Sequence, residues 1–140
     1  MMNETATRET FRIKGESTIT VNDYQNGRKF ADALCYSFYP IDLHTKDGVV
    51  PKHLKRGVVP TIPRGSLIPK GSTNLMVAGR CLSSDRLANS AARVQASCMG
   101  MGQAAACTAV LAAKSSVTPK EVPLGEIHAL LREHGAIVPA

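Results

Sequence analysis

The sequence predicts an α/β fold, with a β-rich portion in residues 1–70 and a strand followed by a helix in residues 71–140. Two observations predict it. The run Leu-Met-Val-Ala at 75–78 is continuously apolar, which is typical of a strand buried on both faces in a parallel sheet. Residues 94–113 carry no charge and are mostly small, which favours a helix packed closely inside a protein. One strand and one helix do not complete a parallel sheet, so we expect part of a larger layered fold.

The first element is expected to be a strand, because Phe11 and Ile13 alternate with basic residues at the period of a half-buried strand. A helical turn follows, with Asn22 or Asp23 as its N-cap. Residues 37–44 alternate again, and a second strand is expected there.

Residues 45–70 are rich in glycine and proline, which break long elements. Only two short strands are expected within them, at 57–62 and 66–68. A loop at 81–92 is expected to lead into the small-residue helix, at about 93–114.

One more helix is expected near the carboxyl terminus, at 124–134, where apolar residues recur at helical spacing. Thr118 and Glu121 have the spacing of a capping box, and a proline follows Thr118 at the first helical position. The predicted order is therefore strands, a basic loop, a buried strand and two helices.

Composition and charge argue against several function classes. The net charge of +6 admits an anionic partner, but no aromatic residue lies in the densest basic stretch, 52–70, so nucleic-acid binding is not expected. Residues 94–113 contain few strongly apolar side chains, so no membrane-spanning helix is expected. The first twelve residues are polar and charged and show no secretory signal, which favours a cytoplasmic protein.

The cysteines are Cys35, Cys81, Cys98 and Cys107, and their spacing matches no set of metal ligands, so no metal site is expected. Cys98 and Cys107 lie nine residues apart on the predicted helix. That spacing corresponds to about 13 Å along a helix axis, which no disulfide spans. Reduced, mostly buried thiols are the expected state.

Five blocks in a fixed order resemble a bacterial family of FAD-dependent oxidoreductases, over residues 5–137. The most specific block, Asn-Leu-Met-Val-Ala-Gly-Arg-Cys-Leu-Ser at 74–83, is similar to a late strand and loop of that family. The pair Arg-Val at 93–94 and the run Cys-Met-Gly-Met-Gly-Gln-Ala-Ala at 98–105 follow it. The upstream blocks are Ala-Thr-Arg-Glu-Thr at 6–10 and Tyr-Pro-Ile-Asp-Leu-His at 39–44.

This resemblance implies a two-domain flavoprotein of the glutathione-reductase type, with FAD as its cofactor. Residues 75–114 would form the last strand and helix of the FAD-binding Rossmann-like domain. Residues 11–68 would belong to the substrate domain, whose sheet covers the flavin ring. The resemblance assigns these residues to the cofactor: Ala78, Gly79, Arg80, Cys81, Arg93, Val94 and Gln95.

The chemistry of these residues suits an anionic cofactor. A strand that ends at Gly79 brings bare backbone close to a ligand, and a helix that begins near Arg93 directs its positive end there. Arg80 would add a charge for the pyrophosphate. A cation is unfavourable at a helix amino terminus, so Arg93 either has a ligand-related role or is an ordinary surface residue. Cys81, beside the expected flavin loop, is the one thiol for which a functional role stays open, although a buried and inert thiol is favoured.

The small-residue helix has two further features. Its face of Gly102, Ala106 and Ala109 is expected to lie tightly against the sheet. Residues 100–105 also fit the dinucleotide pattern G-x-G-x-x-A, with Glu121 as the acidic residue about 20 positions on. The residues before this pattern make a poor strand, so a packed helix is favoured over a phosphate loop.

His44 is the candidate catalytic residue. The resemblance implies that its block lies near the flavin ring. With Asp42 on the same face of its strand, His44 could then act as a proton donor or acceptor. The other interpretation, a histidine held by a backbone carbonyl, is equally open.

These features together predict a carboxyl-terminal fragment or subunit of an FAD-dependent oxidoreductase that is inactive alone. Its partner would be an amino-terminal flavoprotein half, because the glycine-rich turn of the family is expected upstream of Met1. The sequence does not identify the small-molecule substrate. The alternative is a non-catalytic interaction module, which would dock on a partner or form homo-oligomers through uncovered sheet edges.

Overall fold

Four α-helices and one small antiparallel sheet make up the main regular structure of this computed structural model, which describes residues 11–44 and 47–140. The helices are α1 (Val21–Gln25), α2 (Arg86–Ala92), α3 (Gln95–Ser115) and α4 (Leu124–Glu133), and the strands are β1 (Ala33–Tyr36) and β2 (Thr61–Pro63). Short 3-10 turns occur at Arg64–Ser66 and Gly79–Cys81. The fold is therefore mixed α/β, as predicted. The block at 6–10 and the start of the loop at 45–70 lie outside the described residues.

The strands of the first half differ from the predicted ones. β1 and β2 pair in antiparallel fashion, whereas residues 37–44 form only an isolated bridge, between Ile41 and Lys52. The predicted strand at the start is also wrong, since Phe11 is 95% exposed. Alternation was misleading here because these segments have no continuous partner strand to complete a ladder.

The helical turn predicted in the first half is α1, but its cap is Thr20 rather than Asn22 or Asp23. The Thr20 hydroxyl accepts a hydrogen bond from the Asp23 backbone N–H at 3.2 Å, and the Asp23 carboxylate accepts one from the Thr20 N–H at 3.0 Å. Asp23 is therefore the third helical residue of a capping box and not the cap itself.

The predicted buried strand at 75–78 is not a strand in the described chain. Leu75 is 52% exposed, and the backbone is extended with a hydrogen bond from Val77 N–H to Leu67 C=O. The described residues supply no neighbouring strands, so this apolar run has no parallel sheet in which to be buried. The loop predicted at 81–92 is also wrong, because it contains α2, which the Asp85 side chain caps.

The two carboxyl-terminal helices confirm their predictions. α3 begins two residues after the expected start, and α4 begins at the predicted residue. The pattern at 100–105 lies inside α3, so it is a packed helix and not a phosphate loop. Thr118 and Glu121 do bond each other, at 2.8 Å, but they close a turn ahead of α4 rather than beginning a helix.

The core lies between the sheet and helices α2, α3 and α4, and both halves of the chain contribute to it. Its largest fully buried side chains are Ile19, Tyr24, Leu34, Ile62, Leu67, Leu82, Met101, Val122, Ile127 and Leu131. The division between residues 70 and 71 stays a prediction, since described residues from the two sides share this one core.

α3 is long and apolar enough to cross a membrane by length and composition. Only 33% of its most apolar stretch is buried in the described chain. One such helix is weak evidence for a membrane span, because core helices of soluble proteins have the same length and composition.

The Asp85 carboxylate accepts hydrogen bonds from backbone N–H groups of two helices, and its removal is expected to destabilise both. One carboxylate oxygen accepts from the Ala88 N–H in α2 at 2.7 Å, and the other accepts from the Val21 N–H in α1 at 2.6 Å. We expect Asp85→Ala to lower the free energy of unfolding by about 1–2 kcal/mol, measured by urea denaturation. Glu133→Ala, at an exposed helix end, is the control. Equal stability of the two variants would contradict this role.

Candidate functional site

Three segments that are far apart in the sequence meet at one open cleft of about 570 Å³. They are residues 39–44, the Gly79–Cys81 turn and the junction between α2 and α3. The residues that line the cleft are Tyr39, Asp42, His44, Arg80, Arg93, Val94 and Gln95. Five sequence-predicted site residues are thereby brought together, namely His44, Arg80, Arg93, Val94 and Gln95. The other three, Ala78, Gly79 and Cys81, do not line it.

The backbone of Asp42 is held in place by α2. Its N–H donates to the Ser90 hydroxyl at 3.1 Å, and its carbonyl accepts from the Arg93 guanidinium at 3.1 Å. Ser90 lies in α2 and is almost fully buried, so these bonds hold residues 39–44 against α2. The position of His44 therefore depends on α2.

The His44 ring lies beside the Asp42 carboxylate, with Nε2 at 3.4 Å from Oδ2. Both side chains reach solvent, with 39% of His44 and 18% of Asp42 exposed. At this distance the contact is long for a hydrogen bond. The partner of His44 is thus a carboxylate rather than the backbone carbonyl of the other interpretation.

Gly79 is required by its backbone conformation, with φ at 84°, a region that disfavours every residue with a side chain. A Cβ there would lie 3.6 Å from the Cys98 sulfur, so the vacant side of this glycine faces α3. The sequence predicted that glycine at position 79 lets the backbone approach a ligand closely. The structure instead shows that glycine is needed there for the positive φ of the turn. The tight turn instead presents Arg80, whose carbonyl accepts from the buried Asn89 side chain at 3.1 Å.

Arg93 closes α2 instead of opening α3. It is the C-cap residue, where a cation stabilises the negative end of the helix, so the predicted conflict with a helix amino terminus does not arise. Its Nε atom is nevertheless buried and has no hydrogen-bond partner among the described residues. A buried donor in this state destabilises the chain unless another group accepts from it.

The electrostatics of the cleft favour an anion. α3 begins at Gln95, and its N-cap residue, Val94, supplies no side-chain acceptor for the first N–H groups. Two guanidinium groups share the lining with a single carboxylate. Among residues 11–44 and 47–140, no group of three or more His, Cys, Asp or Glu side chains is placed to hold a metal ion.

A cationic cleft at the start of a long helix is an arrangement suited to an anionic ligand. The chain belongs to the FAD dependent oxidoreductase family, whose model matches residues 2–131. FAD is the cofactor of this family. No curated protein and no solved structure matches the chain significantly.

Two residues that hold the cleft, Asn89 and Ser90, were missed by sequence reasoning because α2 was predicted as a loop. A signal for them exists: Asp85 precedes a run of apolar and small residues, which is typical of an N-cap followed by a helix. Tyr39 was recognised only as part of a sequence block. Its place in the lining depends on the path of residues 39–44, which no local pattern encodes.

Proposed function

We propose that this chain supplies one wall of the flavin site in an FAD-dependent oxidoreductase, and that the cleft around Arg80 and Arg93 is that wall. The observation that carries the proposal is the convergence of four cofactor-assigned residues and the catalytic candidate His44 on one cationic cleft. The unpartnered Nε of Arg93 supports it, because a buried donor next to the cleft suits an anionic group that accepts from it.

Each segment of the cleft has a distinct role in this proposal. Arg80 and Arg93 would hold the anionic parts of FAD, and the first N–H groups of α3 would face the flavin's electron-rich edge. Flavin, when bound, supplies hydride acceptance from an organic substrate. His44 would exchange a proton with that substrate, and Asp42 would keep the ring positioned.

A second surface suggests where the rest of the proposed flavoprotein docks. α3 turns one face to the core and leaves the other uncovered. The uncovered residues are Ala96, Met99, Ala106, Ala109, Val110 and Ala113. We propose that the parallel sheet of a flavoprotein half carrying the glycine-rich turn covers this face and pairs with the extended run at 75–78. Residues 75–115 would then be the late part of a Rossmann-like domain in a glutathione-reductase-type flavoprotein.

Titration with FAD tests the proposed cleft directly. We expect the isolated chain to bind FAD weakly, without saturation at stoichiometric cofactor, and to show no oxidoreductase activity. In a ¹⁵N-labelled sample, the amide signals of His44, Arg93 and Gln95 should shift first. Tight stoichiometric binding would overturn the need for a partner, and shifts confined to other parts of the chain would overturn the cleft assignment.

The second candidate function is a non-catalytic interaction module, which the same uncovered face of α3 favours. In this alternative, a second copy of the chain covers the face and no flavin is bound. Sedimentation of the purified chain distinguishes the two. Stable homodimers with no FAD-induced shifts would favour the module, whereas a monomer that co-purifies with a flavoprotein half would favour the split enzyme.

Gly102 provides a sharper test of the docking face. A Cβ placed there has nothing within 4 Å, so alanine fits the isolated chain and improves helix propensity. We expect Gly102→Ala to stabilise the lone chain by about 0.5–1 kcal/mol against urea, yet to weaken binding of the flavoprotein half, because a sheet would pack tightly on that side. Gly125→Ala in α4, which is equally open, is the control and should leave binding unchanged. Unimpaired binding of the Gly102 variant would contradict the docking face.

A further inference from the structure

Two cysteines lie on neighbouring elements beside the cleft, and neither lines it. Cys81 belongs to the Gly79–Cys81 turn, which packs against α3. Cys98 lies in the first turn of α3, and its sulfur would be 3.6 Å from a Cβ added to Gly79. The turn that carries one thiol therefore packs beside the part of α3 that carries the other.

Each thiol makes only a weak hydrogen bond to a backbone carbonyl. The Cys81 thiol donates to the Ala78 carbonyl at 3.6 Å, and the Cys98 thiol donates to the Arg93 carbonyl at 3.2 Å. Thiol donors are weak, so both sulfurs are able to turn toward a new partner. Both residues are partly exposed, so a small reagent has access to them.

The surroundings link the two sulfurs electrostatically. Burial raises the pKa of the Cys98 thiol, the charges of Arg80 and Arg93 oppose that rise, and a charge on Cys81 adds to it. The reactive Cys98 thiolate therefore becomes more abundant as the pH rises toward its pKa.

The other two cysteines contrast with this pair. Cys35 and Cys107 are each only 7% exposed, and burial raises the pKa of Cys35 to about 12 and also raises that of Cys107. Both are expected to be inert toward reagents in the folded chain. They therefore serve as internal controls.

We propose that Cys81 and Cys98 are a modification site, a thiol pair that a small organic disulfide converts into an intrachain disulfide. The thiolate of one cysteine attacks the reagent, forms a mixed disulfide and releases one small thiol. The other cysteine, as its thiolate, then attacks the protein sulfur of that mixed disulfide and displaces the second small thiol. The pair loses two electrons and two protons, and the reagent is reduced to two thiols. This proposal does not depend on flavin binding.

Formation of the bond would tie the Arg80 turn covalently to α3. A disulfide needs its two Cα atoms within about 7 Å, so closure in the folded chain reports how tightly the turn packs on the helix. The bond would also limit the motion of one wall of the cleft.

The test uses 4,4′-dithiodipyridine on the native full chain, with mass spectrometry as the readout. We expect release of two thiopyridone molecules per chain, no retained pyridylthio group, and a mass lower by two hydrogen atoms. Cys81→Ser and Cys98→Ser should each release one thiopyridone and retain one adduct. The reaction should be faster at pH 8.5 than at pH 7, about in proportion to the thiolate fraction.

Trypsin digestion identifies the linkage. Cleavage after Arg80, Arg86 and Arg93 places Cys81 on a short peptide, whereas Cys98 and Cys107 share the peptide 94–114. Repeating the reaction with Cys107→Ala shows which of these two cysteines is linked to Cys81. If that variant does not fold, fragmentation of the linked peptide from the parent chain in the mass spectrometer gives the same answer. Separate stable adducts on Cys81 and Cys98, or linkage of Cys81 to Cys107, would overturn the proposal.

Discussion

Gly15→Ala is expected to destabilise the chain by about 3 kcal/mol or more, because overpacking against rigid neighbours is costly. Gly15 is buried where the amino-terminal segment crosses two others. A Cβ there would lie 2.7 Å from the Ser83 Cβ, 2.8 Å from the Gly65 carbonyl oxygen and 3.0 Å from the Ser17 carbonyl oxygen. Two of these three atoms are backbone, so no side-chain rotation relieves the overlap.

This crossing also supports the cleft. The Ile13 N–H donates to the Cys81 carbonyl at 2.8 Å, and the Ile19 N–H donates to the Ser83 carbonyl at 3.1 Å. Displacement of the segment would therefore loosen the turn that presents Arg80. Urea denaturation of Gly15→Ala beside Gly125→Ala measures the effect, since the second site has open space around its Cβ. A Gly15 variant with an unchanged midpoint would show that the crossing is looser than the structure indicates.

Arg93→Met is expected to weaken FAD binding about tenfold or more, because a hydrogen bond to a charged group contributes about 1.5–3 kcal/mol. Methionine approximates the length of the side chain and removes the charge and all donors. The measurement is the initial slope of the Gln95 amide shift against FAD concentration in the labelled chain, which is proportional to affinity when binding is weak.

The matched variants separate a ligand role from a structural one. Arg93→Lys keeps the charge but loses the planar fork, so we expect an intermediate slope if the cofactor's anionic groups are held in two-point fashion. Arg56→Met, at an exposed turn, removes the same charge elsewhere and should leave the slope unchanged. A slope for Arg93→Met equal to that of the parent chain, with normal stability, would remove Arg93 from the proposed cofactor site.

Several parts of the fold could be predicted from local sequence because their causes are local. α3 is specified by an uninterrupted run of residues with no proline, and α4 by apolar residues at helical spacing. The strands were predicted poorly. The pairing of β1 with β2 joins residues nearly thirty positions apart, and short alternating runs do not reveal which partner they will find.

The cleft shows the same contrast. Recognition of sequence blocks assigned Arg80, Arg93, Val94 and Gln95 to one place, and the structure brings them together there. The sequence blocks could not assign Asn89 and Ser90. Asn89 matters because it donates to the carbonyl of Arg80, and Ser90 because it accepts from the N–H of Asp42, and only folding brings these groups together. The proposed pairing of Cys81 with Cys98 could not be predicted for the same reason, because their separation in sequence says nothing about how the turn packs on α3.

By itself the sequence determined the two long helices α3 and α4, the overall α/β character and the membership in an FAD-using family. Only the tertiary structure decided that residues 75–78 are partly exposed and that α2 forms beside the cleft. It also decided that Arg93 ends α2 immediately before α3 begins. The physical reason is the range of the interactions. Helix propensity and capping act within a few residues, whereas burial and strand pairing depend on which distant segments are present to supply the other surface.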